Sequence, residues 1–254
     1  MKIYGFQKLT LLDYPEHLAA LVFTGGCNFR CPWCQNSSLI HPTADTLCHD
    51  EEEVLRQLKK RSSMLEGVVI SGGEPTLQPD LRDFILRCRE MGYKIKLDTN
   101  GTRPDVMIPL VESGLVDYVA MDIKASRQQY GAAVGLERNF FKETPCADHN
   151  VDHSVDSFLR SIDESVSFLM HRANASNTSF HYEFRTTVAP ELHDAQEMEA
   201  IAAWIQGAEN YYLQAFRDSE QVLEHRFTEP DAAYMEEMLR FVKKNIPHAE
   251  LRGI

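Results

Sequence analysis

The chain has 254 residues, a formal net charge of −12 at neutral pH and 43% hydrophobic residues. This length and composition are sufficient for one large domain with a substantial core. The acidic balance argues against a surface for nucleic acid or an anionic membrane, because both need clustered lysine and arginine. We therefore expect a protein or small-molecule partner, with no nucleic acid and no membrane.

The sequence contains no apolar stretch near the roughly 18 residues needed to span a bilayer. Residues 1–6 lack the apolar core of a secretory signal. We therefore expect a cytoplasmic protein. In that compartment the six cysteines are expected to be reduced thiols or metal ligands, not disulfides.

The first predicted strand is the apolar run 18–24, which follows an N-terminal extension at 1–15. It leads into CNFRCPWC, which carries Cys27, Cys31 and Cys34. Three thiolates can hold three corners of a cubane iron–sulfur cluster and leave the fourth iron open to another ligand. A zinc site of three cysteines with one histidine, His41 or His17, is the alternative at this point.

Short apolar runs then alternate with amphipathic helical stretches. Asp50 is the predicted N-cap of a helix with an acidic first turn and basic last turn. A later helix ends at Gly92 and carries Cys88 on its apolar face, so Cys88 is expected in the core. The other predicted elements are strands 67–71, 93–97, 116–123, 181–188 and 211–215, helices 104–112, 155–169, 198–205 and 230–244, and a candidate edge strand 249–252.

This βα repetition predicts a parallel sheet, either an open barrel or a doubly wound sheet. We expect a single domain over 1–254, with a core at about 16–217 and a C-terminal helix and edge strand in 228–254. In βα barrels the site lies at the carboxyl ends of the strands. The polar residues at these ends are the three cysteines, Gly72, Gly73, Glu74, Asp98, Thr99, Asp122, Lys124, Glu183 and Arg185.

The cysteine loop after one strand and Gly-Gly-Glu-Pro (72–75) after the next resemble the radical S-adenosylmethionine (SAM) superfamily. Gly-Gly-Glu alone would more often be a turn, but the pairing is specific. The resemblance implies an α/β fold, a partial (β/α)6 TIM-like barrel. It also implies a [4Fe-4S] cluster on Cys27, Cys31 and Cys34, with S-adenosyl-L-methionine as the second cofactor, and it weakens the zinc alternative.

Four further segments, GFQKLTLLDYP (5–15), LDTNG (97–101), MDIK (121–124) and FRTTV (184–188), resemble the activating enzymes of glycyl radical enzymes. Among these, the chain is most similar to anaerobic ribonucleoside-triphosphate reductase activating proteins, over about 2–217. The resemblance implies an oxidoreductase whose reduced cluster cleaves the sulfonium, and whose product radical takes hydrogen from a glycine of a partner enzyme. Flavodoxin or ferredoxin would supply the electron.

The resemblance also implies roles for individual residues. Gly72 and Gly73, through their carbonyls, and Glu74 would accept hydrogen bonds from the cofactor's ammonium; Trp33 would lie near adenine; Lys124 and Arg185 would face the carboxylate or ribose; and Asp98, Thr99 and Asp122 would line a monovalent cation site. Each residue has a simpler structural alternative. Asp98 and Glu74 could cap a turn and a helix, Lys124 and Arg185 could be solvated, and Trp33 could belong to the core.

Several features depart from the family pattern. Residues 135–151, with Cys146 and His149 and with His153 just after, are interpreted as an inserted surface loop rather than a second metal site. Arg217 stands near where some related activases carry a histidine beside the cofactor, so that role is not transferred. Cys48, near His41 and His49, is interpreted as an incidental thiol. One cluster is expected, since the cysteine-rich insertion of some activases is missing.

Two other function classes remain. One is a radical enzyme that acts directly on a small molecule, and the other is a non-catalytic, zinc-stabilised interaction domain. The paired motifs favour the glycyl-radical activase over both.

Overall fold

The computed structural model describes residues 1–43, 45–136, 154–173 and 179–253. The strands in these ranges are β1 Ile3–Thr10, β2 Ala19–Thr24, β3 Gly67–Gly72, β4 Lys94–Thr99, β5 Tyr118–Asp122, β6 His181–Val188, β7 Tyr211–Ala215 and β8 Glu250–Arg252. The α-helices are α1 Glu51–Arg61, α2 Leu81–Glu90, α3 Pro104–Glu112, α4 Tyr130–Ala133, α5 Val155–Ala173, α6 Ala195–Trp204 and α7 Ala232–Val242. Most of the predicted insertion, including Cys146 and His149, lies outside the described residues, as does His153.

All eight strands form one sheet in which the spatial order follows the chain order, with β1 and β8 at the two edges. Strands β2 to β8 are parallel, whereas β1 is antiparallel to β2. A doubly wound sheet reverses its strand order near the middle, so that alternative is wrong. The predicted α/β partial barrel is confirmed, and the candidate edge strand is present as β8.

The N-terminal extension differs from the prediction because it contains a full strand. β1 pairs with β2 through Gln7 opposite Leu21 and Thr10 opposite Ala19. Gln7, Lys8 and Leu9 are exposed, so this half of β1 lacks the apolar alternation that marks a half-buried strand. The backbone ladder, together with Ile3, which is fully buried, holds β1 in the sheet.

The predicted helix boundaries follow from local chemistry. Asp50 caps α1 by accepting a hydrogen bond from the Glu52 backbone N–H at 3.4 Å. Asp194 and Asp231 cap α6 and α7 in the same way. Cys88 is completely buried on α2, which confirms its place in the core. No helix in the described ranges combines the length and the apolar character needed to cross a membrane.

Apolar packing divides the molecule into two parts. A large core fills the space between the helices and the outer face of the sheet. A smaller apolar cluster lies on the opposite face and includes Tyr14, Ala19, Leu21, Val69 and Tyr118. Tyr14 packs so closely on Gly67 that an added Cβ there would lie 2.7 Å from its ring. These residues pack the starts of β2, β3 and β5 and leave the polar strand ends for a site.

A buried ion pair connects the edge strand β8 to the interior. Glu183 on β6 is fully buried, and the two terminal nitrogens of the Arg252 guanidinium donate to its carboxylate at 2.8 Å. The Tyr118 hydroxyl donates to the same carboxylate, also at 2.8 Å. Because β7 lies between β6 and β8, this contact spans three strands.

Replacing Glu183 with Gln should lower the free energy of unfolding by about 2 kcal/mol, since the partly exposed Arg252 loses its buried counter-charge. Urea unfolding followed by circular dichroism measures the change. Glu250→Gln, at an exposed position on the same edge strand, is the control and should alter stability by less than about 0.5 kcal/mol. Equal effects of the two substitutions would contradict a stabilising role for this pair.

Candidate functional site

A cavity of about 350 Å³ opens at the carboxyl ends of the parallel strands. Its walls include every residue predicted for the site, namely Cys27, Cys31, Trp33, Cys34, Gly72, Gly73, Glu74, Asp98, Thr99, Asp122, Lys124 and Arg185. The structure therefore brings all twelve together, while their roles toward a cofactor remain predictions. The cavity also includes Asp13, Ser71, Asn100, Thr187 and Gln214, which the sequence analysis missed.

The cysteine loop is held in place by backbone hydrogen bonds. Gly26 N–H donates to the Leu39 carbonyl at 2.8 Å, and Cys27 N–H donates to the Ile40 carbonyl at 3.2 Å. The Glu74 N–H donates to the Gly26 carbonyl at 2.7 Å. The loop is therefore attached both to the segment that follows it and to the Gly-Gly-Glu-Pro loop after β3.

Three uncharged side chains attach the same loop to the end of β4. Asn100 Nδ2 donates to Asn28 Oδ1 at 2.8 Å, and Asn28 Nδ2 donates to Thr102 Oγ1 at 2.7 Å. The Thr102 hydroxyl donates to Asn100 Oδ1 at 2.6 Å and closes the triangle. The signal available in the sequence was an amide residue directly after Cys27, but its partners are too distant in the chain to be identified by spacing.

Cys31 is buried and Cys27 and Cys34 are half-buried, and burial is the main cause of their raised pKa values. The pKa of Cys27 and of Cys34 rises above the ordinary range, and that of Cys31 rises to about 12 although Lys124 acts in the opposite direction. Free thiols here are therefore protonated at neutral pH. Binding iron as thiolates would release these protons, so cluster assembly is coupled to proton loss.

The donor set fits an iron–sulfur cluster better than zinc. Among the described residues, no group of three or more His, Cys, Asp or Glu side chains is arranged around a single metal ion. His17 is engaged with Glu66 at 3.3 Å and Lys94 at 3.1 Å, at the opposite end of the strands. In a cluster each thiolate binds a different iron atom, so three thiols at one cavity, with no fourth cysteine among the described residues of its wall, match a cubane with one open iron.

Glu74 has the structural role given above as its alternative, because it caps the short helical turn that follows β3. Its carboxylate is fully buried, and Oε1 accepts from the Thr76 N–H at 3.0 Å and the Thr99 hydroxyl at 2.8 Å. Oε2 accepts from the Asn100 N–H at 2.7 Å. Burial raises the pKa of Glu74, while these hydrogen bonds favour its charged form. Glu74 thus joins the loop after β3 to the end of β4, and Oε2 has room for a further donor.

Glycine is required at positions 72 and 73 because the backbone of neighbouring segments lies too close for a side chain. Gly72 has φ +121°, and a Cβ there would lie 2.3 Å from the Thr24 carbonyl oxygen. A Cβ on Gly73 would lie 2.1 Å from the Gly26 carbonyl oxygen. Any side chain at Gly73 would therefore push the Gly-Gly-Glu-Pro loop away from the cysteine loop.

Opposite charges from β5, β6 and the segment just after β5 meet at the cavity wall. Arg185 Nε donates to Asp122 Oδ1 at 3.0 Å, and Lys124 Nζ donates to Asp122 Oδ2 at 2.9 Å. Burial opposes the charge on Asp122, but the two cations outweigh it and lower its pKa to about 2. The solvated alternative is wrong for Arg185, whose side chain is 14% exposed. Lys124 is likewise held in an ion pair.

The remaining candidates divide between the core and the surface. Trp33 is buried and makes edge-to-face contacts with His193 and Phe227, so it belongs to the core as well as to the cavity wall. The Arg217 side chain pairs with Glu229 at 2.9 Å and is 55% exposed, while its carbonyl accepts from Gln35. Cys48 is exposed and contacts the His49 carbonyl, as expected for an incidental thiol.

Substituting Gly73 with Ala should displace the cysteine loop, because the added methyl group meets backbone atoms that cannot rotate away. We expect iron bound after anaerobic reconstitution to fall by at least about half and the free energy of unfolding to drop by about 1–3 kcal/mol. Gly114→Ala is the control, because its Cβ would meet nothing within 4 Å although φ is +69°. Iron content unchanged in Gly73→Ala would disprove the steric argument.

Comparison with known proteins gives a consistent result. Residues 21–164 match the model of the radical SAM superfamily. The chain is 30% identical, over 99% of its length and 96% of the relative's, to a Methanocaldococcus jannaschii protein named "Putative glycyl-radical enzyme activating enzyme MJ1227". It is also 33% identical to 7-carboxy-7-deazaguanine synthase of Methanopyrus kandleri, over 41% of this chain and 48% of that enzyme.

Solved structures support the fold. The crystal structure of Streptococcus suis SuiB bound to S-adenosylmethionine matches with a TM-score of 0.63 at 11% identity, over 92% of this chain and 52% of SuiB. TYW1 with a lysine-pyruvate adduct bound matches with a TM-score of 0.56 at 13% identity, over 90% of this chain and 74% of TYW1. The family match and the full-length relative together show that this chain belongs to the radical SAM superfamily.

Proposed function

We propose that this protein is an activase that cleaves S-adenosylmethionine at a [4Fe-4S] cluster and generates a glycyl radical on a partner enzyme. Superfamily membership implies both the cluster and S-adenosylmethionine. The observation that carries the proposal is one cavity with three thiols on one wall and paired carboxylates and cations on another. We further propose that the partner is an anaerobic ribonucleoside-triphosphate reductase, that flavodoxin or ferredoxin is the electron donor, and that the protein is cytoplasmic.

The cavity residues complement the polar groups of S-adenosylmethionine. When bound, the cluster and S-adenosylmethionine supply one-electron cleavage of a carbon–sulfur bond. Cys27, Cys31 and Cys34 would hold the cluster, and Lys124 and Arg185, still paired with Asp122, would donate their remaining N–H groups to the cofactor's carboxylate or ribose. The Gly72 and Gly73 carbonyls and Glu74 Oε2 would accept from its ammonium, with Trp33 beside adenine.

Two exposed leucines offer a docking surface for a protein partner. Leu11 and Leu12 are 67% and 86% exposed and precede Asp13, which contributes to the cavity wall. Neighbouring exposed leucines are unfavourable in water and are typical of interaction sites. Because Thr10 pairs with Ala19 at the start of β2, a partner that covers these leucines would dock at the end of the strands opposite the cysteine loop.

Product formation tests the cluster assignment. In anaerobically reconstituted, reduced protein with S-adenosylmethionine, Cys27→Ala, Cys31→Ala and Cys34→Ala should each lower the 5′-deoxyadenosine yield at least about a hundredfold, because loss of one cluster ligand removes the reactive group. Cys48→Ala, at an exposed thiol outside the cavity, should keep the wild-type yield. Substantial product from any of the three cavity variants would contradict this assignment.

Radical transfer tests the activase assignment. Mixing the reduced, cluster-loaded protein and S-adenosylmethionine with an anaerobic ribonucleoside-triphosphate reductase from the same genome should give a glycine-centred radical signal in electron paramagnetic resonance spectra. Replacing both Leu11 and Leu12 with Ser should lower this signal about tenfold or more, because each leucine that a partner buries contributes about 1.5–3 kcal/mol, and should leave deoxyadenosine formation without the partner unchanged. Met64→Ser, at another exposed apolar residue, is the control. A leucine variant with the full signal would remove the proposed docking site.

A radical enzyme that acts on a small molecule is the second candidate. The similarity to 7-carboxy-7-deazaguanine synthase over 41% of the chain favours it. Deoxyadenosine that depends on all three cysteines, with no radical on any glycyl radical enzyme tested, would support this candidate over the activase.

A further inference from the structure

We propose that the Lys96 ammonium takes the place of the monovalent cation beside the cofactor, so that this enzyme binds and cleaves S-adenosylmethionine without Na⁺ or K⁺. The inference about cleavage rests on the proposed function, whereas the ion pairing itself does not. Resemblance to related activases implies a cation held by Asp98, Thr99 and Asp122. The arrangement of these residues in this chain does not fit one.

Each of the four carboxylate oxygens of Asp98 and Asp122 already faces a cation of the chain itself. Asp98 Oδ1 lies 2.6 Å from Lys96 Nζ, and Asp98 Oδ2 lies 3.4 Å from Arg185 NH1. Asp122 Oδ1 and Oδ2 accept from Arg185 and Lys124. Every oxygen of these two aspartates is thus paired with a cation, and Glu183, 4.0 Å from Arg185, is itself paired with Arg252. An added Na⁺ or K⁺ would therefore have to displace a cation of the protein.

The Thr99 hydroxyl is engaged as well. It donates to Glu74 Oε1 at 2.8 Å and accepts from the Gly101 N–H at 3.1 Å. All three side chains that the resemblance implies for a cation site are therefore occupied by contacts within the protein.

Lys96 differs from the other two cations in its position. Lys124 and Arg185 line the cavity, where a ligand can reach them. Lys96 lies two residues before Asp98 on β4, on the same face of the sheet. Its side chain is 1% exposed, and its ammonium lies 5.8 Å from the centre of the Tyr118 ring. A ligand in the cavity can accept from the remaining N–H groups of Lys124 and Arg185 while their pairs with Asp122 persist, and Lys96 remains beneath Asp98.

A buried ammonium is costly without a partner, so the Lys96–Asp98 pair persists when the cofactor binds. Lys96 then supplies the fixed positive charge that a bound alkali ion would otherwise supply. It acts through Asp98, whose second oxygen faces Arg185, and is therefore a positioning residue and not a group that touches substrate.

The test uses cluster-loaded full-length protein in buffers containing K⁺, Na⁺ or tetramethylammonium. The dissociation constant for S-adenosylmethionine, measured by equilibrium dialysis, and the rate of deoxyadenosine formation should each vary less than about twofold for wild type, because equal ionic strength keeps screening constant. Lys96→Met, which retains most of the side-chain volume, should bind S-adenosylmethionine about tenfold more weakly in tetramethylammonium, as loss of a charge-assisted hydrogen bond does. K⁺ should restore most of that affinity.

Lys94→Met is the matched control. Lys94 is on the same strand but is exposed and contacts His17 at 3.1 Å, so its substitution should leave cation dependence and affinity at wild-type values. Lys96→Arg retains the charge and should remain independent of alkali ions.

The ²³Na NMR linewidth gives a readout that does not depend on cleavage. Cluster-loaded wild type should leave the sodium signal unbroadened, whereas Lys96→Met should broaden it in a manner that K⁺ competes away. Sodium broadening by wild type, or a wild-type requirement for K⁺ or Na⁺, would overturn the proposal even if Lys96→Met does not fold. Failure of wild type to form deoxyadenosine in any salt would instead count against the proposed function, and the linewidth would still decide the role of Lys96.

Discussion

The site depends on the contact between two backbone loops at the ends of neighbouring strands. The Gly-Gly-Glu-Pro loop lies so close to the cysteine loop that the Glu74 N–H reaches the Gly26 carbonyl and Gly73 has no space for a side chain. This contact sets the distance between the thiols and the rest of the cavity wall. The Glu74 carboxylate also accepts hydrogen bonds from Thr99 and Asn100, so it fixes the same loop against the end of β4. Three strand ends therefore share one rigid framework, as a site that must hold reactive groups in fixed geometry requires.

Charge in the interior is compensated before any ligand enters. The carboxylates of Asp98 and Asp122 are bound by Lys96, Lys124 and Arg185, and Glu183 is bound by Arg252. Burying single charges would be prohibitive, while hydrogen-bonded pairs reduce the cost. The amino-acid end of a ligand, with one ammonium and one carboxylate, then adds no net charge to this part of the interior.

The features that could be predicted from the sequence are those that depend on residues close together in the chain. The helices are marked by caps and by apolar residues at helical spacing. The strand-end motifs stand directly after apolar runs. Because the strands are parallel, their carboxyl ends lie together, and the motifs were expected at one cavity. β1 was missed because three of its residues face solvent and give no alternation. The partners of Asn28 were missed because Asn100 and Thr102 lie more than seventy residues away, where only the folded register brings them together. The pairing of Lys96 with Asp98 was missed because the sequence does not show that the Lys96 side chain is buried on the face of β4 that carries Asp98.

The ion pair between Glu183 and Arg252 also has a consequence for folding during synthesis. Each strand pairs with the one made before it, so the sheet can grow by addition at one edge as the chain emerges. Glu183 enters the interior with β6, where Arg185 lies 4.0 Å from its carboxylate, but the two hydrogen bonds from Arg252 form only when β8 is present. A chain that stops short of Arg252 does not gain them. The stability that this contact contributes is therefore acquired only when β8 joins the sheet.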